Sequence, residues 1–376
     1  MISKIIYWCL VVGALSSSIY GAHPKYEASK QVLSILNDPE SYDKYIIPFQ
    51  NRSGPLKVSS TIFMRSIDID DVNMRTDVEL TFRMSWKDIR LSYNSPVPSV
   101  RFSDSSKFWI PDAFFKNSFQ TKLIESIYPE TYVEVASKGN ILYSSRFIVN
   151  LRCEMDLRRF PHDTQECPIY IASYGYSTKD VMFHFEENKP LSTGKNMVLS
   201  NRFFVDKLTT GSCSSITSTG EYSCLKILFN VNRIFTGYLL EWYLPCIFLV
   251  VIAFFSEFLD VSVLLPRLVL TVGPLLTLTA ASLSYSQSLP SVPYSTALDV
   301  FTGISLLAIF CTVLHILISY YYHNQPAEEK VEVDVSTSKW KRFCSKIKEK
   351  GNQIAKWTII AFYAVFVFLY FLAYIM

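Results

Sequence analysis

The side chains best suited to chemistry sit on alternating stretches of the chain, where hydroxyls and cations share one side. In Phe82-Arg83-Met84-Ser85-Trp86 the apolar residues take every second place, which turns Arg83 to the opposite face of a strand. Arg65 shares a face with Ser59 and Thr61, whereas Ile62 and Met64 point the other way. Ser144 lies on a polar face with Arg146, Asn150 and Arg152. On a sandwich such polar faces are outer surfaces. A planar guanidinium grips a carboxylate through two parallel hydrogen bonds, and aromatic faces attract an ammonium group. The chemistry on offer is therefore capture of a small charged molecule. The sequence has no phosphate-cradling glycine loop and no metal-ligand cluster, and its few histidines are scattered. An enzyme, a metal site and a bound cofactor are not expected.

These residues need a scaffold, and composition divides the chain into two. Of 376 residues, 49% are hydrophobic, a high share for a soluble protein. Before Phe235 the chain is polar, charged and aromatic, and after it come long uncharged runs. The net charge of +3 gives no electrostatic pointer to nucleic acid. Lys4, the apolar run Ile5–Ala14 and small residues up to Gly21 or Ala22 read as a signal peptide over 1–22. Residues 23–236 alternate in Ser59–Arg65, Leu80–Trp86 and Ile141–Arg152, with turns at Asn94-Ser95-Pro96 and Lys138-Gly139-Asn140. Many short strands predict an antiparallel β-sandwich. Asn51-Arg52-Ser53 is a glycosylation sequon within it.

Four later stretches are long enough to cross a bilayer, at about 239–258, 268–287, 300–320 and 357–376. They make a transmembrane domain of residues 237–376. Between the last two lies 325–356, carrying Lys339, Lys341, Arg342, Lys346, Lys348 and Lys350. Such a cationic loop favours the cytoplasm, and an exported amino terminus with four crossings places it there as well. The expected fold class is α+β multidomain: an extracellular antiparallel β-sandwich followed by a four-helix transmembrane bundle.

Cysteine placement narrows this further. Cys9 leaves with the signal, Cys246 and Cys311 lie in membrane helices, and Cys344 is cytoplasmic. Cys153, Cys167, Cys213 and Cys224 remain outside. Sequence alone allows three pairings of these; the two short closures, 153–167 and 213–224, leave a sandwich undistorted. The thirteen residues from Glu154 to Glu166 carry Phe160-Pro161-His162-Asp163 at the tip of the first closure. A loop of this kind followed by four membrane helices resembles the Cys-loop family of pentameric ligand-gated channels. Trp86, Trp109-Ile110-Pro111-Asp112, Pro245 and Leu289-Pro290 fall where that family has them, and the second cysteine pair points to its anion-conducting branch. Arg65-Ser66-Ile67, Thr81-Phe82-Arg83-Met84-Ser85-Trp86, Ala172-Ser173-Tyr174-Gly175-Tyr176 and Thr219-Gly220-Glu221-Tyr222-Ser223-Cys224 resemble invertebrate glutamate-gated chloride channels.

The resemblance implies a ligand site between neighbouring subunits. One side would supply Arg65, Arg83 and Ser144, the other Phe114, Ser173, Tyr174, Thr219 and Tyr222. Since one chain carries both half-sites, a homopentamer would be ligand-competent, and heteropentamers with related subunits remain open. Glutamate suits two arginines and an aromatic group. A ligand with one carboxylate, such as γ-aminobutyrate or glycine, would use Arg83 and Ser144, and Arg65 is the extra cation that favours glutamate. An amine ligand and a non-conducting modulatory subunit are also compatible with the sequence. The second membrane helix would line the pore with Pro266, Arg267, Val269, Gly273, Leu276 and Ala280, followed by Leu283 or Ser284 and Gln287. Leu276 would form an apolar constriction that stops ions by dewetting. Pro266 stands where cation-selective relatives have a glutamate, which favours chloride. Leu265-Pro266-Arg267 and Gly273-Pro274 depart from the family's usual pattern. Asp163 and Arg233 are expected at the junction of the two domains, with the turn from Ser288 to Tyr294 approaching them. The implied location is the plasma membrane, in contact with lipid and at a postsynaptic site.

Overall fold

The computed structural model describes residues 23–48, 54–199, 202–287, 289–290, 292–324 and 335–375. The side chains of 195–199, 335–349 and 375 are not among these. The signal peptide, Asn51 and residues 325–334 of the cationic loop lie outside the described residues.

An eight-stranded sheet forms one layer of the outer domain. Its path runs β10 (Leu191–Leu199), β1 (Leu56–Asp70), β2 (Arg75–Lys87), β7 (Asn140–Arg152), β6 (Thr131–Ala136), β3 (Ser99–Phe102). Strand β5 (Ser118–Leu123) adds to β7, and β9 (Val181–Phe185) to β1. The facing sheet runs β11 (Phe203–Ser212), β14 (Cys224–Arg233), β8 (Thr164–Ser173), β4 (Ala113–Phe115). A small hairpin, β12 (Ser215–Thr217) with β13 (Gly220–Tyr222), lies between β11 and β14 in sequence. The sandwich is antiparallel as expected apart from β9 and β10, which both pair parallel with β1. A helix over Pro24–Leu36 (α1), absent from the sequence reading, buries Ala28 and Val32.

The alternation seen in the sequence is the core pattern. Phe82, Met84 and Trp86 are buried between the sheets with Ile141, Val149 and Ile169, while Arg83 and Ser85 stand half-exposed on the other face. Trp86 and Trp109 meet edge to face at 5.8 Å. The turn at Gly139 has φ +77, and a Cβ there would stand 2.5 Å from the Asp88 carbonyl oxygen, so glycine is required. Two disulfides close as the short loops: Cys153–Cys167, with 5.2 Å between Cα atoms, and Cys213–Cys224, with 4.8 Å. Cys246 and Cys311 are free.

Four helices follow. The first span, Thr236–Phe258 (α2), widens into a π turn over Leu239–Tyr243. That turn lies where Pro245 removes the donor for the Glu241 carbonyl. Leu264–Ser286 is α3, Ala297–His323 is α4, and Val335–Ile375 is α5, of which Lys350–Tyr374 is apolar enough to span. The second half of the expected cytoplasmic loop is therefore helical and continuous with the fourth span. Thr296 and Asp299 cap α4 reciprocally. Phe301 sits at the centre of the bundle, 4.8 Å from the Tyr243 ring and 5.0 Å from Tyr370. Polar ties cross it too: Trp242 Nε1 donates to Thr302 Oγ1 at 3.0 Å, and Tyr363 and Ser305 share a hydroxyl contact at 3.0 Å.

Candidate functional site

Three strands position the first group of polar residues. Thr61 on β1 faces Arg83 on β2, and Arg83 faces Ser144 on β7, so the three side chains form one row. The next residue along the row is Tyr132 on β6. Arg65 enters where β1 slips, because both of its pairings lose register between Met64 and Ser66. A bulge of this kind re-aims a side chain. Arg65 Nε donates to Thr81 Oγ1 at 3.1 Å, and its guanidinium lies over the Phe63 ring at 5.1 Å. Neighbouring cations on this sheet are already matched. Arg146 donates to Glu79 at 2.6 Å and to Glu130 at 2.7 Å, and Arg101 donates to Glu134 at 2.7 Å. Among the described residues, Arg65 and Arg83 have no carboxylate partner. Two guanidiniums without an acid partner among the described residues thus stand on one sheet, Arg65 bonded to a threonine hydroxyl and Arg83 in register with Thr61 and Ser144.

The second group stands on the other sheet. Strands β4 and β8 pair Ala113 with Ser173 and Phe114 with Ala172. The Phe114 and Tyr174 rings meet edge to face at 5.5 Å, and Tyr174 is 78% exposed. Tyr222 donates its hydroxyl to Thr219 Oγ1 at 3.0 Å within the loop closed by Cys213–Cys224. Asp112 builds this corner: it accepts from the Tyr174 N–H at 3.1 Å and the Gly175 N–H at 2.5 Å. Ser173 lies in the same corner. Its Oγ donates to Asp112 at 2.6 Å and accepts from the Tyr176 N–H at 3.1 Å, so the side chain shapes the loop. The sequence marks Trp109-Ile110-Pro111-Asp112 as a motif but gives Asp112 no visible part in the site. The two groups lie on different sheets, and no hydrogen bond, ion pair or ring contact joins them among the described residues.

The cysteine loop forms the junction. Arg233 Nε donates to Asp163 at 2.8 Å, and Nη1 donates to Asp71. The Arg233 side chain is fully buried between the Phe160 and Phe203 rings, at 4.5 and 4.4 Å. Burial alone would lower its pKa, but the hydrogen bonds to Asp163 outweigh that and push it above the usual arginine range. Asp71 is a second acid that the sequence reading missed. The loop touches the membrane helices on several sides. Leu157 N–H donates to the Tyr294 hydroxyl at 3.0 Å, and the Ala297 and Leu298 N–H groups donate to the Arg158 and Phe160 carbonyls at 3.0 and 3.1 Å. His162 packs on Phe235 at 4.4 Å and on Tyr374 at 6.0 Å. Burial pushes its pKa down to about 4.

Helix α3 sorts its residues by angle. Arg267, Thr271, Pro274 and Leu278 are buried against the bundle, as positions three and four apart must be on a helix with 3.6 residues per turn. Pro266, Val269, Gly273, Leu276, Ala280, Leu283, Ser284 and Gln287 are exposed. Arg267 is thus a correction to the expected pore face, lying two residues and about 200° from Val269. Its side chain is 2% exposed and ion-paired to Glu257 at 2.9 Å.

A β-sandwich joined through a cysteine loop to four spanning helices is the architecture of a ligand-gated channel subunit. Residues 29–235 match the neurotransmitter-gated ion-channel ligand binding domain, and residues 242–356 match the transmembrane region of the same family. The glutamate-gated chloride channel of Drosophila melanogaster is 35% identical over 322 residues, covering 84% of this chain and 70% of that protein. The chain belongs to the neurotransmitter-gated ion-channel family, a family of channels rather than enzymes.

Proposed function

We propose that this subunit is opened by glutamate bound between neighbours in a pentamer, and that it conducts chloride across the plasma membrane at a synapse. The observation that carries the ligand is the pair Arg65 and Arg83, both without an acid partner among the described residues and both beside a serine or threonine hydroxyl. Glutamate brings two carboxylates for these arginines and an ammonium group for Phe114, Tyr174 and Tyr222 of the next subunit. Chloride is favoured because the exposed face of α3 carries no carboxylate. Leu276, 64% exposed on that face, would be the apolar constriction. A second reading has its own support. The residues exposed in the first two turns of α3 are Leu265, Pro266 and Val269, which are uncharged, and such a mouth suits a subunit that binds transmitter but conducts only with partners.

The test is expression in an otherwise silent cell, alone and with related subunits. Glutamate-evoked current reversing with the chloride gradient is the expected result. Reversal that follows sodium would sink the anion reading, and current only in mixed assemblies would establish the second one. Leu276→Ser should raise spontaneous opening by wetting the constriction.

A further inference from the structure

At the cytoplasmic end of the bundle one acid collects contacts from the three other spanning helices. Glu257, in the last turn of α2, accepts from Arg267 Nη2 of α3 at 2.9 Å through one oxygen. Its other oxygen accepts from His315 Nδ1 of α4 at 2.9 Å. Lys356 of α5 donates to the Glu257 backbone carbonyl at 3.0 Å. The arginine is held less completely than its holder. Its Nε donates to the Ser256 carbonyl at 3.0 Å, but Nη1 is buried with no hydrogen-bond partner among the described residues. A guanidinium in water satisfies all five of its donors, so this one lacks a hydrogen bond that solvent would provide. Packing encloses it on every side; Glu257 is its one ion-pair partner among the described residues, and Asp260 acts on it at longer range.

We propose that Glu257 is a positioning residue for conduction: it pairs with the Arg267 guanidinium behind the exposed face of α3, so the inner mouth works with that charge masked. His315 fixes the carboxylate by occupying the oxygen that Arg267 leaves free. The positive charge next to the mouth is a held reserve. Chloride entering from the cytoplasm meets Leu265, Pro266 and Val269 instead of an arginine ring. The inference rests on the channel reading above, and the sign of the measured change separates its failure from that of the chloride assignment.

The experiment compares unitary conductance and reversal potential of the full-length channel with those of Glu257→Gln, Arg267→Gln and the double variant. Releasing the arginine by Glu257→Gln should raise chloride conductance at least about twofold at low ionic strength by concentrating counter-ions. High salt should erase the gain. The double variant should return to the parent value, and Arg267→Gln alone should leave the reversal potential where it was. If sodium carries the current, Glu257→Gln should lower conductance instead, so the chloride assignment fails while the inference stands. Equal conductance in all four channels would overturn the inference, as would a shifted reversal potential in Arg267→Gln. Should a single variant pass no current, thermal unfolding of the purified proteins decides. The double variant should then be more stable than either single one, and additive losses would overturn the pairing.

Discussion

Arg233 and the pair Arg65–Arg83 put the same side chain to opposite uses. Arg233 is fully buried, held by Asp163 and Asp71 and sandwiched by aromatic rings. Arg65 and Arg83 lie half-exposed beside neutral hydroxyls, on a sheet where other arginines have found acids. A cation with its acid built in holds the fold together. One held only by neutral groups keeps its electrostatic capacity for a foreign acid. The difference between them is visible only when partners are counted, because all three arginines sit on strands.

The largest effect should come from the committed cation. Arg233→Ala leaves two buried carboxylates without a counter-charge, a loss of about 3–5 kcal/mol. The channel should then fail to reach the surface, which surface labelling would report. Arg83→Ala should leave surface labelling unchanged while weakening glutamate by about 2–5 kcal/mol, some thirty- to several-thousandfold in binding. If it too removed the channel from the surface, the contrast between the two uses would collapse. Arg65→Ala sharpens it. Glutamate should suffer far more than γ-aminobutyrate, which has no second carboxylate, and dose–response curves with direct binding would separate affinity from gating. Arg→Lys at either site should also weaken glutamate, since an ammonium cannot make the flat two-pronged contact.

The smallest expected effect is at His162, on the committed side of the comparison. Its ring is neutral when folded, with a pKa near 4 against about 6.5 unfolded. Between those values the unfolded chain binds more protons, so stability is full above about pH 6.5 and falls as pH drops toward 4. Allowing for partial solvent screening, the loss is about 1–2 kcal/mol. Thermal midpoints across that window should show the decline, and His162→Phe should flatten it.

Much of the fold is legible in the sequence. Phe82, Met84 and Trp86 announce a buried face by period, and Gly139 marks its turn by type. The short cysteine closures and four apolar runs are equally plain. Arg267 is misplaced when the start of a helix is treated as the start of its exposed stripe. Helical angle alone sets it against Val269. Other residues give no signal at all. Asp71 and Arg233 stand 162 positions apart, and Glu257 and His315 stand 58 apart, with no periodicity to connect either pair. The work of Asp112 appears only when the end of β8 folds back beside it.

Helix α5 runs unbroken for 41 residues. At 1.5 Å per residue that is about 60 Å, twice the thickness of a hydrocarbon core of about 30 Å. Roughly half of it must therefore stand clear of the lipid as a stiff rod. Its membrane half ends at Tyr370 and Tyr374, which pack against Tyr243 and His162 at the junction. Anything that grips the far end on the cytoplasmic side acquires a lever arm. A sideways load there is delivered, through one rigid body, to the aromatic contacts beneath the ligand domain.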